Sequence, residues 1–142
     1  MSGRTRSITL RVENDLKHRS TSTGVSTVPS HVQFDFDSDR ITNEGKRDLD
    51  EFGEAILKMN NTSVLLEGHT DAMGTDEYNM SLSQRRAEAA RRYLLESFGF
   101  PDARIVAVGK GKTTPLAPND NEANMKKNRR VDFVFSAANA TP

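Results

Sequence analysis

Apolar and polar positions alternate along this chain with a period that changes from one stretch to the next. In "SITLRVE", Ile8, Leu10 and Val12 are separated by polar residues, the period of a half-buried strand. "NDLKHRSTSTGVSTVPS" follows, with one Gly and one Pro among many Ser and Thr, and predicts a loop or linker. "HVQFDFD" alternates again, with Val32, Phe34 and Phe36 on one side and Gln33 and Asp35 on the other, and predicts a second strand. From about Thr42 to Met59 the period lengthens. Leu49, Phe52, Ile56 and Met59 recur at three- and four-residue spacing with charges between them, which predicts an amphipathic helix. "SVLLEG" reads as a short buried strand. A long amphipathic helix then runs to about Phe98 and stops at Gly99, with Pro101 just beyond. "RIVAVGKG" predicts a strand, "TTPLAPNDNEAN" a loop closing in a turn of helix through "EANMKKNR", "VDFVF" the last strand, and "SAANATP" a frayed tail.

The order strand, helix, strand, helix, strand, strand favours parallel neighbours joined by right-handed crossovers. The expected class is α+β: a two-layer sandwich with helices on one face of a small mixed β-sheet (β-α-β-α-β-β), the last two strands adding an antiparallel edge. Residues 1–29 are expected to be an extension or linker with one possible strand, 30–137 the main domain, and 138–142 a disordered tail.

Composition narrows the function. The 142 residues carry 20 basic and 20 acidic side chains, so no global field draws the chain to nucleic acid or anionic lipid. Any charge-based recognition must be local. The absence of cysteine excludes disulfides, thiolate metal sites, a cysteine nucleophile and a lipid-modified N-terminal cysteine on this chain. No apolar run approaches the ~20 residues of a membrane-spanning helix. "MSGRTRSITLRVEND" has basic residues but no apolar core, so no signal peptide is predicted.

Two short motifs point to chemistry and fail on spacing. "GKGKT" lacks the upstream glycine of a phosphate-binding loop, because Val106 stands there, and Pro115 blocks the helix that must follow. His69 lies close to Asp71, but His18 and His31 are far upstream, and no G-x-S-x-G elbow is present. We therefore expect neither metal nor cofactor nor catalytic residues.

Arg86 is more informative. At about 100° per residue it lies about 40° from Leu82, within the broad arc that also holds Tyr78, Ala89, Ala90, Tyr93 and Leu94. A guanidinium on the protein-facing side of a helix needs a carboxylate. An internal ion pair to Asp71 or Asp37 would supply one. So would a ligand carboxylate, which the planar fork of arginine grips bidentately. Asp71 stands between Gly68 and Gly74, where backbone and ligand can approach closely. An Asp and an Arg held apart on one rim would clamp a zwitterion, the Asp taking an ammonium and the Arg a carboxylate. Spacing leaves the clamp and the internal salt bridge equally open.

The stretch "LEGHTDAMGTDEYNMSLSQRRAEAARRYL" resembles the signature of the OmpA-like domain, shared by outer-membrane protein A, the peptidoglycan-associated lipoprotein and the flagellar stator protein MotB. Gly68, Thr70, Asp71, Gly74, Asn79, Leu82, Ser83, Arg86 and Ala87 all fall in place. "FDFDSDRI" resembles the family's first strand and turn, and "NRRVDF" its closing motif. The resemblance spans roughly His31 to Phe135. It implies noncatalytic binding of peptidoglycan through the meso-diaminopimelate of the stem peptide, with Asp71 and Arg86 gripping that side chain. Thr70 and Asn79 would shape the pocket, Phe36 and Asp37 would border it, and Arg129 and Arg130 would fix the loop. It also implies a periplasmic domain of an exported envelope protein, of which this chain would be a piece. The alternative is a protein–protein module with Asp71–Arg86 as an internal salt bridge.

Overall fold

A computed structural model describes residues 2–17, 24–30 and 32–137. The expectations for the Ser/Thr stretch at 18–23, for His18 and His31, and for the tail at 138–142 lie outside the described residues. The elements run α1 (Gly3–Lys17), β1 (Val25–Ser30), α2 (Asn43–Lys58), β2 (Thr62–His69), α3 (Asp76–Phe98), β3 (Ile105–Gly109), α4 (Glu122–Asn128) and β4 (Arg130–Ala137).

The strands form one mixed sheet in the order β1-β4-β2-β3. β2 and β3 are parallel, while β4 is antiparallel to both β2 and β1. The α+β class and the mixed sheet under helices agree with the expectation, but β4 lies inside the sheet rather than at its edge. Its composition explains this. Val131, Phe133 and Phe135 point to the helical layer and are fully buried, a density of apolar side chains that an edge strand does not need.

The core closes on that face. Val64 and Leu66 of β2 join Val131, Phe133 and Phe135, and from above come Leu49, Phe52 and Ile56 of α2 with Ala90 and Leu94 of α3. Phe52 stacks on Phe133 with ring centroids 3.9 Å apart. Ser63, Leu65, Val106 and Val134 alternate onto the opposite face, where they are half-buried or exposed, as the two-residue period of a strand requires.

Three expectations are corrected. "SITLRVE" is part of α1, not a strand: Ile8 and Val12 are buried in the core while Leu10 is 55% exposed. The four-residue spacing of Ile8 and Val12 puts them on one helical face, packed over α2 and β1. The linker ends in a real strand, because "VSTVPS" pairs with β4 from Val25↔Ser136 to Ser30↔Val131. Among the described residues of "HVQFDFD" a single isolated bridge forms, Phe34↔Ile41, and the chain then turns. Asp37 adopts φ 54°, a left-handed conformation that ends the extended chain and leaves Phe36 98% exposed.

α3 carries the arginine of interest, and its seating is tight. Thr75 caps it by accepting from Tyr78 N at 3.1 Å, with Asp76 and Glu77 in the first turn. The helix lies directly on Gly68 of β2 and Gly109 of β3. A Cβ on Gly68 would stand 2.3 Å from the Ser83 carbonyl oxygen, and one on Gly109 would stand 2.5 Å from Gln84 N. Only hydrogen fits at either position.

Side chains close both sheet edges. On β3, Arg91 Nε donates to Ile105 O (2.6 Å), Gln84 Nε2 to Ala107 O (3.3 Å), and Gly109 N to Gln84 Oε1 (2.7 Å). On β1, Arg11 Nη2 donates to Thr27 O at 2.8 Å, and Pro29 has no N–H to offer.

Candidate functional site

The loop between β2 and α3, the turn at 36–38, the first turns of α3, and α4 enclose a cleft of about 870 Å³. All six residues expected at the site line it or shape its floor: Phe36, Asp37, Thr70, Asp71, Asn79 and Arg86.

The loop after β2 is rigidly built. Thr70 N donates to Gly111 O (2.9 Å), and its hydroxyl donates to Asp71 O (2.9 Å). Asn79 is buried and reaches back from α3, donating through Nδ2 to Met73 O at 2.7 Å. Ala72 N donates to Asn119 Oδ1 (3.1 Å), and Asn128 Nδ2 donates to that same oxygen (2.9 Å), which ties the loop to α4. Thr70 and Asn79 thus act mainly on backbone, fixing the shape that presents Asp71.

Asp71 is buried and held on both oxygens. Oδ1 accepts from Met73 N at 2.9 Å, and Oδ2 accepts from Arg129 Nη1 at 2.6 Å. Arg129 also bridges to Glu122 on α4. Burial alone would lower the Arg129 pKa, but the hydrogen bonds to Glu122 and Asp71 outweigh it and raise it.

Arg86 is held differently. Its Nε donates to Ser38 O at 2.8 Å, and its guanidinium lies 5.0 Å from the centre of the Phe34 ring. Its terminal nitrogens make no hydrogen bond among the described residues. Burial lowers its pKa, and the neighbouring Arg129 lowers it further, against the pull of Asp37 and Asp71. An arginine remains charged under these conditions, so the cleft holds a half-buried cation with donors to spare. The internal Asp71–Arg86 salt bridge does not form. Asp71 is paired with Arg129 in its place.

Sequence reasoning missed part of this lining. Met73, Tyr78, Glu122, Met125 and Lys126 also face the cleft, and Met73 and Phe36 are large apolar side chains left mostly exposed on its rim. Arg129 and Arg130 diverge where the chain passes from helix to strand, Arg129 capping the end of α4 and Arg130 opening β4. Arg130 turns under the cleft and donates from Nε to Asp132 Oδ1 at 2.9 Å, while Arg129 turns to Asp71.

The OmpA family model matches residues 33–129 of this chain. Outer membrane porin F of Pseudomonas aeruginosa is 38% identical over 113 residues, which are 80% of this chain and 32% of the porin. The peptidoglycan-associated lipoprotein of Pseudomonas aeruginosa is 42% identical over 100 residues, 70% of this chain and 58% of the lipoprotein. This chain spans less than two thirds of the length of either relative. The crystal structure of the peptidoglycan-associated lipoprotein from Burkholderia pseudomallei superposes with a TM-score of 0.66 at 39% identity, covering 74% of this chain and 88% of that one. The match in sequence and fold covers the cleft and the elements that frame it, and this chain belongs to the OmpA family.

Proposed function

We propose that this chain is a noncatalytic module that binds peptidoglycan at the cleft, gripping the free end of a meso-diaminopimelate side chain in the stem peptide. One observation carries the reading: Arg86 offers unengaged terminal nitrogens to the same cleft that Asp71 enters as a fixed carboxylate. The ligand's carboxylate would take the Arg86 fork, and its ammonium would approach Asp71. Two contacts to Asp71 are already made, but a carboxylate offers about four lone-pair directions, so an ammonium can share it with Arg129.

The similarity to a protein named for its association with peptidoglycan supports the same reading. So does the wall of exposed Phe36 and Met73, which can shield the ion pairs from water. A glycan strand displays many stem peptides, so modest affinity at one site can still tether an envelope protein to the wall through repeated engagement. The location this implies is the periplasm.

Titration with two muropeptides tests the proposal. A diaminopimelate muropeptide is expected to bind measurably more tightly than a lysine-type one, which lacks the side-chain carboxylate. Equal affinity for both would refute the clamp.

A further inference from the structure

We propose that Glu67, His69 and Asp132 form a binding site for a divalent transition-metal ion such as Zn²⁺, on the sheet beneath the cleft. Sequence reasoning dismissed His69 as a ligand for want of other histidines. The fold supplies carboxylates instead. Glu67 and His69 are two apart on β2 and therefore share a face, and Asp132 of β4 is the register partner of Glu67.

The imidazole of His69 motivates the assignment. Its side chain is 2% exposed, and neither ring nitrogen has a hydrogen-bond partner among the described residues. Buried polar atoms are almost always paired, so an unpaired one points to a group that belongs there. Nε2 lies 3.3 Å from Asp132 Oδ2 and 3.9 Å from Glu67 Oε1, and the three donor atoms all fall within 4.8 Å of one another. Ligands on a tetrahedral ion with bonds of about 2.0–2.2 Å sit roughly 3.3–3.5 Å apart. The His69–Asp132 spacing already fits. The remaining closure falls to Glu67, whose side chain is 21% exposed and can rotate.

Each carboxylate divides its two oxygens in the same way. Asp132 turns Oδ2 toward His69 and gives Oδ1 to Arg130 Nε at 2.9 Å. Glu67 turns Oε1 toward His69, and its Oε2 is 3.8 Å from Lys110 Nζ. The inner oxygens converge, while the outer ones are oriented by cations, as outer partners orient the ligands of a metal centre. Arg130 and Lys110 also neutralise the two acids when no ion is bound. One imidazole nitrogen and two carboxylate oxygens suit a borderline ion, with further positions left to water. Such an ion would pin β2 to β4 immediately before Thr70 and Asp71. The inference does not depend on what the cleft binds.

Isothermal titration of ZnCl₂ into chelator-treated protein, with Co²⁺ absorption as a second probe, tests it. Expected are saturable one-to-one uptake, a rise in melting temperature with Zn²⁺, and loss of uptake in His69→Gln. Glu67→Gln, at a partly exposed position that need not disturb the fold, is expected to bind about tenfold more weakly or worse. Absence of saturable uptake would overturn the proposal, as would uptake unchanged in Glu67→Gln. A melting temperature that rises on mild acidification but not with Zn²⁺ would place a proton rather than a metal ion between these groups, and would overturn it equally.

Discussion

Asp71 accepts a hydrogen bond from Arg129 at 2.6 Å, across 58 residues of chain, while Arg86 on the same cleft reaches the backbone of Ser38 instead. The two arginines therefore have separate duties. Arg129 holds the carboxylate in place, and Arg86 is held in place with donors unspent.

Arg86→Ala should weaken binding of a diaminopimelate muropeptide without unfolding the protein. Hydrogen bonds to a charged partner contribute about 1.5–3 kcal/mol, so the loss should be roughly ten- to a hundredfold in Kd. Stability should move little, because removal of a desolvated cation offsets the lost bond to Ser38. Calorimetry and a thermal melt on the same sample check both halves. A collapse of the melt with binding intact in the surviving fraction would contradict the assignment.

Arg129→Gln and Glu122→Gln should separate in size. The first strands the buried Asp71 carboxylate and should destabilise the protein by about 1–3 kcal/mol. The second breaks a pair whose Glu122 side chain is 72% exposed and should cost below about 1 kcal/mol. Denaturant midpoints of the two variants decide. Equal losses would mean that the bond to Asp71 is not what Arg129 is for.

Gly68→Ala should loosen the fold and the site together. The new methyl would meet the Ser83 carbonyl oxygen at 2.3 Å, so α3 must lift from the sheet, at about 1–3 kcal/mol. Lifting α3 also moves Arg86 away from the strand that leads to Asp71, and muropeptide affinity should fall. Gly3→Ala, where an added Cβ meets nothing within 4 Å, is the matched comparison and should be silent in both assays.

Phe52→Ala should be among the most damaging single changes in the helical layer. Phe52 is fully buried and stacks on Phe133, and such truncations typically cost about 3–5 kcal/mol. A small domain holds only about 5–15 kcal/mol in total, so a large drop in melting temperature is expected. A drop of only a few degrees would mean that the neighbouring side chains collapse into the space.

The regular interior was legible in the sequence, and the periphery was not. α2 shows a clean helical period because it buries one face against the core, and β2, β3 and β4 stand out as short apolar runs between polar segments. The α1 stretch misled because Ile8, Leu10 and Val12 satisfy a two-residue period, and the β-branched side chains of Ile8 and Val12 favour strand. Only docking shows that Leu10 faces out. β1 inverts the usual rule, with Ser26 and Ser30 buried and Val25 exposed, since Ser26 Oγ donates to Asp15 and Ser30 Oγ to Val131 O. At the site, local spacing put Arg86 on the buried side of its helix. The bond of Arg129 to Asp71, and the approach of His69 to Asp132, join distant segments and carry no local periodic signal.

The side chains that cap β1 and β3 bear on how many copies can work side by side. A bare outer strand invites a neighbour to add its own, and molecules concentrated along one polymer would then zip together into fibres. Here Arg91 and Gln84 occupy one such border, and Arg11 with Pro29 the other. Strand addition at either border would first have to displace these side chains.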